Sequence, residues 1–164
     1  MVDMKTLDHH LAYTIWATNL LLDAAAGIPR EQLVHDFRTS DKNIVGTLAH
    51  IFAADRVWLD RIHNRPRAVF IEDRDRDFDM LRREWPPLHA AWREWLSGLS
   101  DNQINEPIPY RDMAGNPYKS APWEIVLHVV NHGTHHRGQV SGMLRSLGHV
   151  PPPLDLIRFY RTHL

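Results

Sequence analysis

Apolar residues in the first third of the chain recur at steps of three and four, the period of an amphipathic helix. Leu7, Leu11, Ile15 and Leu22 mark a first helix over about residues 4–26, and Gly27-Ile28-Pro29 stops it. A polar loop through Asp36, Ser40 and Asp41 precedes a second helix over about 43–63, with Ile44, Leu48, Ile51, Phe52, Leu59 and Ile62 on its apolar face. Asn64-Arg65-Pro66 closes that helix. A third spans about 77–98 with Leu81, Trp85, Leu88, Trp92, Trp95 and Leu96 inward. Pro86 and Pro87 fall inside it. Proline lacks a backbone donor and crowds the preceding turn, so a kink or break is expected there.

Between Asp101 and Ser120 the helical period lapses. Ile108-Pro-Tyr110-Arg111, a turn at Met113-Ala-Gly115-Asn116-Pro117, and Tyr118-Lys119 predict a short hairpin. A two-stranded hairpin is marginal alone, so it has to pack on helices. The fourth helix opens with Ser120 as N-cap, Pro122 in the first turn and Glu124 where the helix dipole favours an acid. It runs to about Leu147 and ends at Gly148. Pro151-Pro-Pro153 and a short tail to Leu164 follow. The pattern is all-α: a single domain over residues 1–164, a four-helix bundle with a small β-hairpin before the last helix.

Composition narrows the function classes. A chain of 164 residues with 43% hydrophobic and 24% charged residues buries a core without disulfides. No apolar run nears the roughly 20 residues of a membrane span, and Met1-Val-Asp-Met-Lys5 lacks a secretory apolar core, which sets the expectation of a cytoplasmic protein off the membrane. The net charge of -1 disfavours a nucleic-acid surface, and the basic pair Arg65 and Arg67 is offset by Glu72, Asp73, Asp75 and Asp77. There are no cysteines, so imidazoles and carboxylates remain as the strong metal ligands and no protein thiol can act as nucleophile. Of twelve histidines, His9, His35, His63, His89, His149 and His163 read as surface or capping residues. The six tryptophans read mainly as core.

Chemistry concentrates in His128-Val-Val-Asn131-His132-Gly-Thr-His135-His136-Arg137-Gly138-Gln139, which sets four histidines within nine residues of one helix. The inward stripe Ile125, Val129, His132, His136, Val140 (or Gln139), Met143, Leu147 puts two imidazoles one turn apart where the flanking turns carry aliphatics. Residues four apart lie about 5–6 Å from each other, which lets two imidazoles share one metal ion. Buried imidazoles without partners would each cost about 1–3 kcal/mol, so a metal accounts for the pair better than two isolated core histidines. Gly133, Gly138 and Gly142 interrupt this helix, either for close packing or for room around a site. A third ligand has to come from elsewhere. His50 on the second helix is the candidate, with Gly46 and Ala54 one turn to either side leaving space. Asp55, on the same apolar stripe, either orients a ligand imidazole or pairs with Arg56 or Arg61.

Tyr13-Thr-Ile-Trp16-Ala17-Thr-Asn19, then Thr47-Leu-Ala-His50 with Asp55 and Trp58, then Asn131-His132-x-x-His135-His136-Arg137-Gly138-Gln139, and finally the proline-rich tail with Asp155 and Tyr160, resemble the DinB/YfiT-like family over essentially the whole chain. The resemblance implies an up-down-down-up bundle, commonly a homodimer. It also implies a divalent metal, zinc or nickel, held by one histidine of the second helix and two of the fourth. Those are His50, His132 and His136 here. His128 and His135 then support or line the pocket.

Three imidazoles leave coordination positions for water or substrate, the arrangement of a catalytic rather than a closed site. Related bacillithiol- and mycothiol-dependent enzymes imply a transferase in which the metal activates an external low-molecular-weight thiol toward a small-molecule substrate. The lack of cysteine fits that class. A hydrolase acting through water acidified by the metal, and a non-enzymatic metal-binding stress-response protein, stay open beside it. His135, Asp55 and Tyr110 are the candidate proton-transfer groups.

Overall fold

The Asp3 side chain caps the first helix by accepting from the Thr6 N–H at 2.7 Å, and α1 runs Met4–Ala26. These and all later elements come from a computed structural model that describes residues 2–65 and 69–163. Pro66 and Arg67, parts of the expected helix stop and basic patch, lie outside the described residues. A single helical turn, α2 (Arg30–Leu33), interrupts the polar loop. Asn43 then caps α3 (Ile44–Ile62) through a 2.8 Å bond from the Gly46 N–H. Asn64 closes α3 in the left-handed conformation (φ 53°), with its own N–H on the Arg61 carbonyl and that of Arg65 on the Asp60 carbonyl.

Asp77 caps α4 (Phe78–Ser97), which runs unbroken through Pro86 and Pro87. The expected break does not occur because both prolines face solvent. The carbonyls they cannot serve, those of Arg82 and Arg83, belong to exposed residues where water replaces the lost bonds. Strands β1 (Ile108–Arg111) and β2 (Pro117–Ser120) form the expected antiparallel hairpin. Ser120 ends β2 instead of capping the next helix. Ala121 holds the N-cap position of α5 (Pro122–Ser146), and the Glu124 carboxylate reaches back to its N–H at 2.8 Å. Gly148 closes α5 with φ 85°, bonding to Arg145 O while His149 bonds to Leu144 O. The tail is ordered as a further helix, α6 (Leu156–His163), whose Phe159 packs against Tyr13 and Trp16 of α1.

Two buried clusters give the helix directions. One joins Leu21, Leu22 and Ala25 of α1, Ile44 to Phe52 of α3, Phe78 to Trp85 of α4, and Val140 to Leu144 of α5. The other joins Leu7 and Leu11, Leu59, Trp92 and Leu96, and Ile125 to Val130. Helices α1 and α5 therefore run one way and α3 and α4 the other, which is the up-down-down-up bundle. Because α3 and α4 are parallel, the chain between them has to return along the bundle. Arg56 of α3 anchors that return with a buried two-point ion pair to Asp75, at 2.8 and 2.5 Å.

Candidate metal centre

The site begins with a glycine. A Cβ at Gly46 would lie 2.0 Å from the Asp41 carbonyl oxygen, so only glycine lets the loop fold this closely over the start of α3. That approach carries the Asp41 carboxylate to 3.5 Å from His50 Nδ1, one turn further along. A carboxylate there holds the proton on Nδ1 and turns the Nε2 lone pair toward α5.

Antiparallel packing of α5 on α3 brings His132 and His136 to meet it. His50 Nε2 and His132 Nε2 are 3.0 Å apart. The ring centroids of His50 and His136 are 4.4 Å apart, and those of His132 and His136 4.5 Å. His136 Nδ1 faces the Gln139 side-chain oxygen at 2.8 Å, which leaves its Nε2 free to point inward. One nitrogen from each ring can be chosen so that all three lie within 4.8 Å of one another. Burial, reinforced by His136 and His50, pushes the His132 pKa down to about 3. Burial also lowers that of His50, with Asp41 opposing. Both imidazoles are therefore neutral at pH 7, with lone pairs available. Two nitrogens each about 2.0–2.1 Å from one ion stand roughly 3.0–3.4 Å apart, so the His50–His132 separation suits a shared divalent cation. An all-imidazole donor set suits first-row divalent metals.

The other candidates sit apart from this convergence. His135 is exposed, with its Nε2 3.4 Å from Gln139 Nε2 and its ring edge-on to His136 at 4.9 Å. His128 is also exposed and stacks on His132 at 6.1 Å while meeting Trp58 at 5.0 Å. Tyr110 lies one ring further out, edge to face with Trp58 at 5.2 Å. Phe70, which sequence reasoning did not single out, covers His50 at 5.2 Å.

Asp55 is buried at 5% exposure and takes neither expected role. It forms no hydrogen bond with His50, His132 or His136, and no ion pair with Arg56 or Arg61 among the described residues. Its carboxylate accepts from Trp85 Nε1 at 3.0 Å, and its backbone carbonyl from Trp92 Nε1 at 3.0 Å. Burial raises its pKa to about 7, opposed by Trp85 and by the charge of Arg137. Its neighbour at 4.0 Å is His89, which is buried rather than on the surface, and whose pKa burial lowers to about 3. Arg137 completes this inner layer, donating to Thr14 Oγ1 at 2.7 Å and Thr134 Oγ1 at 3.0 Å. A Cβ at Gly133 would lie 2.6 Å from the Arg137 guanidinium, so that glycine makes room for a buried cation.

Fold and donor set together define a four-helix bundle carrying a three-histidine site suited to a divalent metal. The DinB family model matches residues 1–163, and the chain belongs to that family. It is 24% identical over 149 residues to "Protein DinB" of Bacillus subtilis, covering 87% of each chain. A crystal structure of a DinB-like protein from Bacillus cereus superposes with a TM-score of 0.63 at 20% identity, covering 87% of this chain and 91% of that one, and supports the fold.

Proposed function

We propose that the protein is a metal-dependent transferase that joins an external low-molecular-weight thiol to a small electrophile, with zinc or nickel on His50, His132 and His136. The observation that carries the reading is the facing of neutral imidazoles at 3.0 Å on a half-exposed surface of the bundle, with exposed His128 and His135 beside it. Such a site has open room on one side, whereas a structural metal is enclosed. A divalent ion held there supplies charge stabilisation for a thiolate at neutral pH.

The chain's own groups do the rest. The thiol gives up its proton, and exposed His135, at the edge of His136, is the base we assign to receive it. The sulfur then forms a bond to the electrophilic carbon while a carbon–halogen bond breaks and halide leaves with the electron pair. With an epoxide, a carbon–oxygen bond breaks and the oxygen takes up the proton. Phe70 against His50 and Trp58 against His128 give the reacting groups apolar flanks. Because the chain has no cysteine, sulfur has to arrive with the cosubstrate. The homodimeric state and the cytoplasmic setting belong to the same reading, and sizing the metal-loaded protein checks the first.

The test is a screen of bacillithiol, mycothiol, glutathione and coenzyme A against chloro-aromatics and epoxides, with metal-loaded and chelated protein. Thioether product from the loaded form only supports the proposal. Uniform inactivity beside ester or amide hydrolysis would replace it with the hydrolase reading, and inactivity in both assays would leave a metal-binding protein without catalysis.

A further inference from the structure

Between the end of α3 and the hairpin lies a cavity of about 410 Å³ lined by Val57, Arg61 and Arg65 on one side and Arg111, Asp112 and Met113 on the other. Its size is that of a small-ligand pocket. Three arginines face one carboxylate there, and that carboxylate is engaged. Asp112 accepts from Ala114 N at 2.9 Å, Asn116 N at 2.8 Å and Asn116 Nδ2 at 2.9 Å. Arg65 pairs with Asp60 at 3.3 Å, and Arg111 donates to the Gly115 carbonyl at 2.7 Å.

Arg61 differs from both. Its guanidinium lies over the Trp58 ring at 4.6 Å, and its buried Nε has no hydrogen-bond partner among the described residues. Stacking uses the face of a guanidinium, and with the Nε enclosed it is the Nη edge that is left for a planar two-oxygen acceptor. Burial lowers the Arg61 pKa, with Tyr110 and the Asp112 carboxylate opposing it. Consecutive contacts of 4.6 Å (Arg61 to Trp58), 5.0 Å (Trp58 to His128) and 6.1 Å (His128 to His132) lead from this cavity to the candidate metal ligands. An extended molecule of tripeptide size is up to roughly 10–11 Å long, so it spans part of this path and a larger thiol cosubstrate spans more.

We infer that Arg61 and its cavity form a carboxylate-binding subsite that holds the anionic end of the thiol cosubstrate, with its thiol end directed along this path toward the histidine cluster. The inference rests on the thiol-transfer reading for the identity of the ligand. The anion site itself is tested without turnover. The probes are S-methylglutathione, which has two carboxylates and no free thiol, and its diethyl ester, which has neither acid. Calorimetric titration of the metal-loaded protein should show the acid binding at least about tenfold more tightly than the ester, and Arg61→Gln should weaken the acid about 10- to 100-fold while leaving the ester unchanged. Arg61→Lys, which keeps the charge and loses the stacked fork, should fall between. Circular dichroism and metal stoichiometry of both variants establish that the bundle and its histidine site are intact.

No binding of the acid to wild-type protein, equal affinity for acid and ester, or unchanged affinity in both Arg61 variants would overturn the subsite. Selective acid binding without any thiol turnover would keep the subsite and discard the transferase reading. Turnover that is indifferent to Arg61 would do the reverse.

Discussion

Two polar layers cross the same bundle, one residue apart on α5. The outer one, His50, His132 and His136, aims ring nitrogens at one another across 3.0 Å with no protein group placed between them. In the inner one, Trp85 donates to Asp55 and Arg137 donates to Thr14 and Thr134, so most groups are answered by the fold itself. The inner layer takes its partners from the bundle, with His89 Nε2 and Arg137 Nε left without one among the described residues; the outer layer brings three ring nitrogens together where a cation could sit.

The sharpest way to separate them is to remove the imidazoles. His50→Ala, His132→Ala and His136→Ala should each take elemental analysis from about one metal per chain to none, whereas His135→Ala keeps it. Any of the first three retaining stoichiometric metal would dissolve the outer layer as a site. In chelator the three variants should unfold close to the chelated wild type, because half-buried imidazoles contribute little packing without the ion.

Asp55→Ala should behave in the opposite way. It leaves Trp85 Nε1 without its acceptor and opens a void beside His89 in a sealed core, and we expect a loss of about 2–4 kcal/mol in denaturant titration with the metal content unchanged. Loss of metal on this substitution would merge the two layers into one network.

The inner layer also has its own pH signature. The Asp55 pKa is about 7 in the folded chain against an ordinary value of 3.8, so its contribution is complete below pH 3.8 and is lost as pH rises toward 7. That of His89 is about 3 against an ordinary 6.5, so its contribution is complete above pH 6.5 and is lost as pH falls toward 3. The two slopes oppose each other between about pH 4 and 6.5. Asp55→Asn keeps an acceptor for Trp85 and removes only the first slope. Stability of chelated D55N should therefore climb more steeply with pH across that window than chelated wild type, by on the order of a few kcal/mol in total. Parallel curves would mean that Asp55 is ionised in the core.

The outer layer was legible in the sequence because its signal is periodic: imidazoles four apart on an aliphatic stripe, and a third histidine between small neighbours. Asp55 misled because five helical steps rotate it about 140° from His50, toward α4 instead of α5. His89 was legible and overlooked, since it continues Trp85 and precedes Trp92 at helical steps. Asp41 lies in irregular loop, where no period applies, and its only trace was Gly46, whose lack of a side chain serves Asp41 before it serves His50. The last helix was hidden behind Pro151-Pro-Pro153, although Leu156, Phe159 and Tyr160 carried an apolar face. The hairpin's contact with Trp58 depends on tertiary packing that no local pattern encodes.

The smallest effects come from the glycines of α5, which the sequence could not rank. Gly138 has nothing within 4 Å of where a Cβ would stand, so Gly138→Ala removes only backbone freedom and should stabilise by about 0.5–1 kcal/mol. Gly133→Ala drives its methyl to 2.6 Å from the Arg137 guanidinium, which is 1% exposed and tied to Thr14 and Thr134. A side chain so enclosed cannot swing away, and the same substitution there should destabilise by about 1–3 kcal/mol. Thermal unfolding of the two variants then reads the layers separately, because a positive shift at 138 with a negative one at 133 ties the glycine requirement to the buried cation. Equal shifts would instead make both glycines features of the helix alone.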